Sequence, residues 1–318
     1  MTAFLKTHSG MVSSLCVCFF MWTCQDQDHS GRLDTEQKAP PQDETRSFPK
    51  QNNFEPSEAF KNYWLTGKAE IASYELEQAR YGELHKGQAV LVYVTEPFLP
   101  DVQVKADQPA PNNIPVFKLN ATKNFNTGIY PYAIMQSTFY PINNMSHALK
   151  VSCSVQEWCG QAYTQLNNRA QFEVSSHSYF EHEADADMTL EKSILENELW
   201  IQLRLAPNSL PVGRIKVIPS LEFLRLKHIP LKAYTADAVM TEGNYSLNYP
   251  ALKRTLSINF NPEFPYTINA WTASYPDGLG ADSNILTTKA TLLKTIQLDY
   301  WNKNKPDDIR FRDTLQLN

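Results

Sequence analysis

His147 to Asn168 reads HALKVSCSVQEWCGQAYTQLNN, and this stretch decides the fold. Ala148, Lys150, Ser152 and Ser154 alternate with Leu149, Val151, Cys153 and Val155. A period of two turns one set toward a core and the other toward water, the pattern of a half-buried strand. Trp158-Cys159-Gly160 then supplies a tight turn, and the chain runs back as a second strand.

Working outward, the same texture recurs. Upstream lie strand-like runs at Lys68 to Arg80, Val116 to Phe125 and Ile129 to Tyr140, with the dense apolar run Ala89-Val90-Leu91-Val92-Tyr93-Val94 among them. Such β-branched density marks a strand buried on both faces or central in its sheet. Downstream, strands are predicted at Gln171 to Phe180, Arg214 to Ile218, Leu221 to Lys227, Lys232 to Val239, Asn244 to Tyr249, Thr255 to Asn261, Tyr266 to Ser274 and Thr287 to Tyr300. One principal helix is predicted over Met188 to Leu205, where Leu195, Leu199 and Leu203 recur at i, i+4 and i+8. Ser57 can cap a short helix carrying Phe60 and Tyr63. The pattern predicts a mainly β protein, a curved antiparallel sheet or half-barrel with one helix packed on it. It occupies residues 57–305 as a single domain, and 306–318 reads as a fraying tail.

Composition bounds the function. The chain has 318 residues, 42% of them apolar, which is enough for a substantial core. Its formal net charge of −5, without a dense basic block, argues against nucleic acid as a partner.

The first residues carry an address. Lys6 and His8 precede Met11 to Thr23, MVSSLCVCFFMWT, too short to span a bilayer but of the length of a secretory core. Cys24 follows, then Gln25-Asp26-Gln27-Asp28. That order resembles a bacterial lipoprotein signal, in which Cys24 takes the lipid and anchors the protein to a membrane. A plain signal peptide or an uncleaved anchor is the alternative. Residues 25–56 are polar, aperiodic and poor in apolar side chains, and read as a disordered tether. Asp26 and Asp28 resemble the acidic export tag of surface lipoproteins or belong to an ordinary solvated linker. An outer-membrane envelope protein, on the periplasmic or surface side, is the expectation. Cys153 and Cys159 then remain in an oxidising compartment. On one extended strand they stand roughly 20 Å apart, well beyond the ~4.4–6.8 Å that a disulfide requires, so two free thiols are expected.

Chemistry is thinly marked. His177, Glu181, His182, Glu183, Asp185 and Asp187 form the densest set of possible metal ligands. On a continuous strand all of them except His182 share a face, where carboxylates can hold calcium and imidazoles zinc. The spacing fits neither an EF-hand nor His-Glu-x-x-His, and a solvated strand end explains it equally. Tyr130, Tyr132, Trp158 and Trp271 are candidate ligand-binding residues, able to stack on sugar rings or line an acyl pocket, or else to fill the core of a Tyr-rich sheet. No nucleophile elbow, dinucleotide fingerprint, phosphate loop or Cys-x-x-Cys is present, and no cofactor is expected.

The runs KNYWLTGKAEIASYELEQARYGELHKGQAVLVYVTEPF, KLNATKNFNTGIYPYAIMQSTFYP, SVQEWCGQAYTQLNNR and LENELW resemble an uncharacterised family of Bacteroidota envelope proteins, from about Tyr63 to Trp301. Its members are often labelled "septum formation inhibitor Maf". Maf proteins proper are cytoplasmic α/β nucleotide pyrophosphatases with an early Ser-x-Ser-Pro-Arg-Arg motif, and this chain has neither Ser-Pro nor Arg-Arg. The resemblance therefore brings no catalytic residue. The expected function is a non-catalytic, lipid-anchored binding or scaffold protein with a lipid or glycan ligand. The alternative is a hydrolase, either a nucleotide pyrophosphatase or a metal-dependent envelope enzyme using the His177–Asp187 cluster.

Overall fold

A computed structural model describes residues 54–143, 146–278 and 283–317. The leader, Cys24 and the tether up to residue 53 lie outside the described residues. Helix α1 (Glu58–Trp64) leads into β1 (Ala69–Arg80) and β2 (Glu83–Leu99), followed by the short β3 (Val104–Lys105). A meander follows through β4 (Ile114–Thr127), β5 (Tyr130–Pro141), β6 (Lys150–Glu157), β7 (Gly160–Asn168), β8 (Phe172–Ser178) and β9 (Ala186–Leu190). After β10 (Ile194–Leu195) come α2 (Glu196–Leu205), β11 (Gly213–Ile218) and α3 (Leu221–Lys227). The chain returns through β12 (Tyr234–Thr241), β13 (Asn244–Tyr249), β14 (Arg254–Phe260), β15 (Ile268–Asp277) and β16 (Asn284–Leu298), and finishes in α4 (Arg310–Thr314).

All sixteen strands among the described residues belong to one sheet, ordered β10-β11-β12-β13-β14-β15-β16-β1-β2-β4-β5-β6-β7-β8-β9, with β3 paired to β2. Every ladder is antiparallel except β10 with β11. The first strand is therefore central, and its two neighbours are its successor β2 and the last strand β16. Curvature follows from connectivity. Laid flat, fifteen strands at about 4.8 Å would be roughly 65–70 Å wide. Yet the two edge strands β9 and β10 are joined by residues 191–193 alone, a link of four steps that spans at most about 14 Å. The sheet is rolled until its edges approach, and no ladder joins β9 to β10 among the described residues.

The roll is filled. Helix α2 enters it directly from β10 and is buried almost all round, at Glu196, Asn197, Glu198, Leu199, Ile201, Leu203, Arg204 and Leu205. A helix with that many polar groups can be enclosed only if each is paired. Arg204 forms a bidentate pair with Glu70 of β1 at 2.7 and 2.8 Å. Glu196 receives Arg254 of β14 and the Tyr249 hydroxyl of β13. Glu198 accepts from the Ala148 backbone N–H at 2.7 Å and its own Leu195 N–H at 3.1 Å. Helix α1 packs Phe60 and Trp64 against Phe117 and Tyr93 toward one end of the roll. Helix α3 sits toward the other, with Glu222 paired to Lys123 of β4 at 2.7 Å.

Several expectations need correction. The principal helix begins at Glu196, not Met188, because Ala186–Leu190 is drawn into the ladder with β8. Leu221–Lys227 is a helix and not a strand. Ser220 caps it by accepting the Phe223 N–H, and His228 closes it in the left-handed region (φ 52°). The tail does not fray: Leu315 and Leu317 are buried over Ile71 and Val94, with Val90, Val92, Ile296 and Leu298 around them. This outer patch explains why β1 and β2 carry apolar residues on both faces. Cys153 is buried and Cys159 exposed, and both are free.

Candidate functional site

One rim of the roll collects the β1–β2, β4–β5 and β6–β7 turns, the end of β15 and helix α3. The β1–β2 turn is a two-residue connection, Tyr81-Gly82, with both residues at positive φ (59° and 81°), the geometry that matches strand twist in tight hairpins. Asp277, buried at the end of β15, ties the rim together. Its Oδ1 accepts the Gly82 N–H at 2.7 Å and its Oδ2 pairs with Lys227 of α3 at 2.9 Å. Between these elements opens a cleft of about 340 Å³, lined among others by Arg80, Tyr81, Tyr132, Phe180, Arg225 and His228.

The cleft is aromatic and cationic together. Tyr132 stacks on Phe125 with centroids 4.9 Å apart, and Tyr130 stands 6.0 Å from Tyr132 and 6.3 Å from Trp158. Trp158, in the β6–β7 turn, is 67% exposed. The Arg80 guanidinium lies 4.3 Å from the Tyr81 ring centroid and 5.5 Å from that of Tyr132, a cation–π arrangement. Arg225 lies over Phe180 and pairs with Glu183 at 2.9 Å, and His228 also contacts Glu183. Cys159 lines the same cleft, but its hydrogen bond with Glu157 holds the thiol above its ordinary pKa, which disfavours the thiolate a nucleophile needs.

Around the corner, the outer face of β6, β7 and β8 carries an open groove of about 530 Å³ lined by Ser154, Gln156, Tyr163, His177, Tyr179 and Asp185 among others. Tyr179, 79% exposed, lies against Gly160. A Cβ at Gly160 would stand 3.0–3.3 Å from atoms of Tyr179, so any larger residue there would need the Tyr179 ring to give by a few tenths of an ångström.

The inside of the roll is a different environment. Trp271 is 4% exposed and meets Trp200 of α2 edge-on at 5.3 Å. It borders an interior cavity of about 70 Å³ whose charged lining residues, Lys123, Glu196, Glu222 and Arg254, are all in ion pairs. A polar space of that size has room for a few waters and is small for an acyl chain.

The structure thus gathers Tyr130, Tyr132 and Trp158 at one rim and sends Trp271 to the interior. The His177–Asp187 segment does not form the single strand face expected of it. A 3₁₀ turn at Glu181–Glu183 breaks it, and β9 runs back antiparallel along β8. His177 meets Asp185 at 3.3 Å, Asp187 accepts from Ser175 Oγ at 2.5 Å, Glu183 turns to Arg225 and His228, and Glu181 is exposed. Of His182 only the backbone is described. Among the described residues no group of three or more His, Cys, Asp or Glu converges to hold a metal ion. The residues missed by sequence reasoning are Arg80, Tyr81, Phe180, Arg225, Lys227, His228 and Asp277. They come from separate segments joined only by the rolling of the sheet, and the Tyr-Gly turn was their one local signal.

No family model matches the chain, and no curated protein matches it. Among solved structures, a beta-barrel-like protein of domain of unknown function DUF1849 from Brucella abortus is similar over 72% of this chain and 98% of that one. The sequence identity is 8% and the TM-score 0.43.

Proposed function

We propose that this chain is a non-catalytic binding protein of the cell envelope, lipid-anchored through Cys24, that holds a glycan at the aromatic rim of its rolled sheet. The observation that carries the reading is the division between inside and rim. The interior is occupied by α2 and α3, and the cavity beside Trp271 there measures about 70 Å³, whereas Tyr81 at the cleft, Tyr179 at the groove and Trp158 beside them stand out into solvent. Exposed rings flanked by hydrogen-bonding side chains suit the apolar faces and hydroxyls of sugars. A filled interior favours this over a buried lipid. The leader sequence and the polar tether support the envelope address and a scaffold set off from the membrane.

The test is titration of the protein with a panel of envelope oligosaccharides, followed by tryptophan fluorescence and calorimetry. At about 25 cal/mol per Å² of apolar surface covered, two rings each covering about 50 Å² contribute roughly 2.5 kcal/mol, so W158A combined with Y130A is expected to weaken binding roughly tenfold or more. Trp158 is 67% exposed, so W158A alone is expected to leave the thermal midpoint little changed, and Tyr130, which packs against the core, carries any loss of stability in the pair. Saturable glycan binding that is indifferent to both substitutions, or none across the panel, would overturn the reading.

A further inference from the structure

The described arginines most deeply enclosed in this molecule follow a rule, and one of them departs from it. Arg204 pairs bidentately with Glu70, and Arg254 pairs with Glu196. Arg225, less deeply placed, pairs with Glu183. Such pairing is what physics requires, since an enclosed guanidinium gives up hydration worth several kcal/mol. Arg80 is only 9% exposed and has no carboxylate partner among the described residues. Its Nη1 donates to the Leu226 carbonyl at the end of α3, and its Nε and Nη2 donate to the Tyr132 hydroxyl at 3.4 and 3.2 Å. Nη2 also reaches the Tyr81 hydroxyl at 3.3 Å. These are neutral acceptors, and the phenol contacts are long for a charge-assisted bond.

The position of this charge matters as much as its isolation. Arg80 lines the rim cleft. The carboxylates of that cleft are engaged elsewhere: Asp277 with Lys227 and the Gly82 N–H, Glu157 with the Cys159 N–H. Arg225, in the same lining, has a buried Nε without an acceptor among the described residues. Of the three cations in the lining, Arg225 pairs with Glu183 and Lys227 with Asp277, and Arg80 alone has no carboxylate among the described residues.

We infer that the rim cleft takes an anionic ligand, a sugar bearing a carboxylate or phosphate group, whose oxyanion supplies the partner that Arg80 lacks. The guanidinium fork suits both groups, while Tyr81 and Tyr132 flank the charge with ring faces for the sugar. This deepens the glycan reading and rests on it for the sugar, but the anion requirement stands separately on Arg80.

Three probes decide it, used with the full protein in detergent: an oligogalacturonate, the matching neutral galactose oligomer, and a sugar phosphate. Inorganic phosphate serves as a fourth arm. The acidic sugar or the sugar phosphate is expected to bind at least about tenfold more tightly than the neutral oligomer. That preference should shrink with added salt and be lost in Arg80→Gln, while Arg80→Lys keeps part of it. If R80Q fails to fold, the charged-against-neutral comparison and its salt dependence in the unaltered protein still decide. Equal binding of neutral and charged sugars, unchanged by R80Q, would overturn the anion inference and leave the glycan reading intact. Inorganic phosphate protecting Arg80 from phenylglyoxal while no sugar binds would uphold the anion site and overturn the glycan reading. No binding and no protection in any arm would overturn both.

Discussion

Replacing Glu70 by glutamine tests how α2 is held inside the rolled sheet. Glu70 and Arg204 are 0% and 1% exposed, and the pair is bidentate at 2.7 and 2.8 Å. The Tyr63 hydroxyl donates to Glu70 Oε2 at 2.6 Å, and Arg204 Nε donates to the Pro265 carbonyl at 2.9 Å. The guanidinium lies between Trp64 and Tyr93, 4.9 and 4.7 Å from their ring centroids. Glutamine fills the same volume but removes the charge, leaving Arg204 enclosed with one carbonyl, an amide oxygen and two ring faces. Breaking a buried pair in this way costs about 3–5 kcal/mol. For a domain of this size that lowers the thermal midpoint by about 6–20 °C, at roughly 2–4 °C per kcal/mol. Urea unfolding with an unchanged slope measures the loss directly. The double replacement Glu70→Met with Arg204→Met removes both charges and is expected to cost less than E70Q alone, because no uncompensated ion remains. A loss below about 1 kcal/mol for E70Q, typical of exposed pairs, would refute the enclosed position of α2.

Three further outcomes follow from particular contacts. Burial alone would raise the Glu196 pKa, but Arg254 and Tyr249 hold it below the usual carboxylate range. Its contribution is therefore complete above that range and is lost as pH falls through the depressed value. Urea midpoints between pH 7 and 3 should fall with acid, and fall less steeply in E196Q, which starts lower. Burial pushes the Cys153 thiol up, while Cys159 is exposed and raised by Glu157. Peptide mapping after brief alkylation of native protein should find Cys159 modified and Cys153 untouched, with Glu157→Gln accelerating the reaction. Leu315→Ala opens the outer patch over Ile71 and Val94 and is expected to cost about 2–3 kcal/mol, measurable by thermal unfolding without loss of rim binding.

The hairpin of β6 and β7 was readable because alternation at period two is a local property, and Val151, Cys153 and Val155 are indeed its buried face. The same rule misled at Leu221–Lys227. In LEFLRLK the apolar residues recur three apart (Leu221/Leu224, Phe223/Leu226), the helical spacing, while a period of two would put Arg225 and Lys227 on the face of Leu221 and Phe223. The serine cap at Ser220 was the arbitrating signal. Helix α2 was legible through Leu195, Leu199 and Leu203, but its start was set by the pairing of β9 with β8, a tertiary demand that sequence periodicity does not carry. Nothing local marked Glu196 and Glu198 as buried acids, since their partners lie 58 and 50 positions away, at Arg254 and Ala148. The cleft was illegible for the same reason: residues 80, 132, 180, 225 and 277 meet only after the sheet rolls. Tyr130 and Trp158 could be proposed from residue type, whereas Trp271, of the same type, went inside.

The pairing of β1 with β16 has a consequence for how the chain matures. Tyr74 lies opposite Leu292, so the middle seam of the sheet joins residues more than two hundred positions apart. Until the final strand emerges, β1 carries an unsatisfied hydrogen-bonding edge on the side where β16 will dock, the kind of surface that recruits other chains. Long-range closure of this sort is slow. The seam cannot close until β16 (Asn284–Leu298) has been made, and a truncation before Asn284 is expected to leave a sticky fragment in place of a smaller domain.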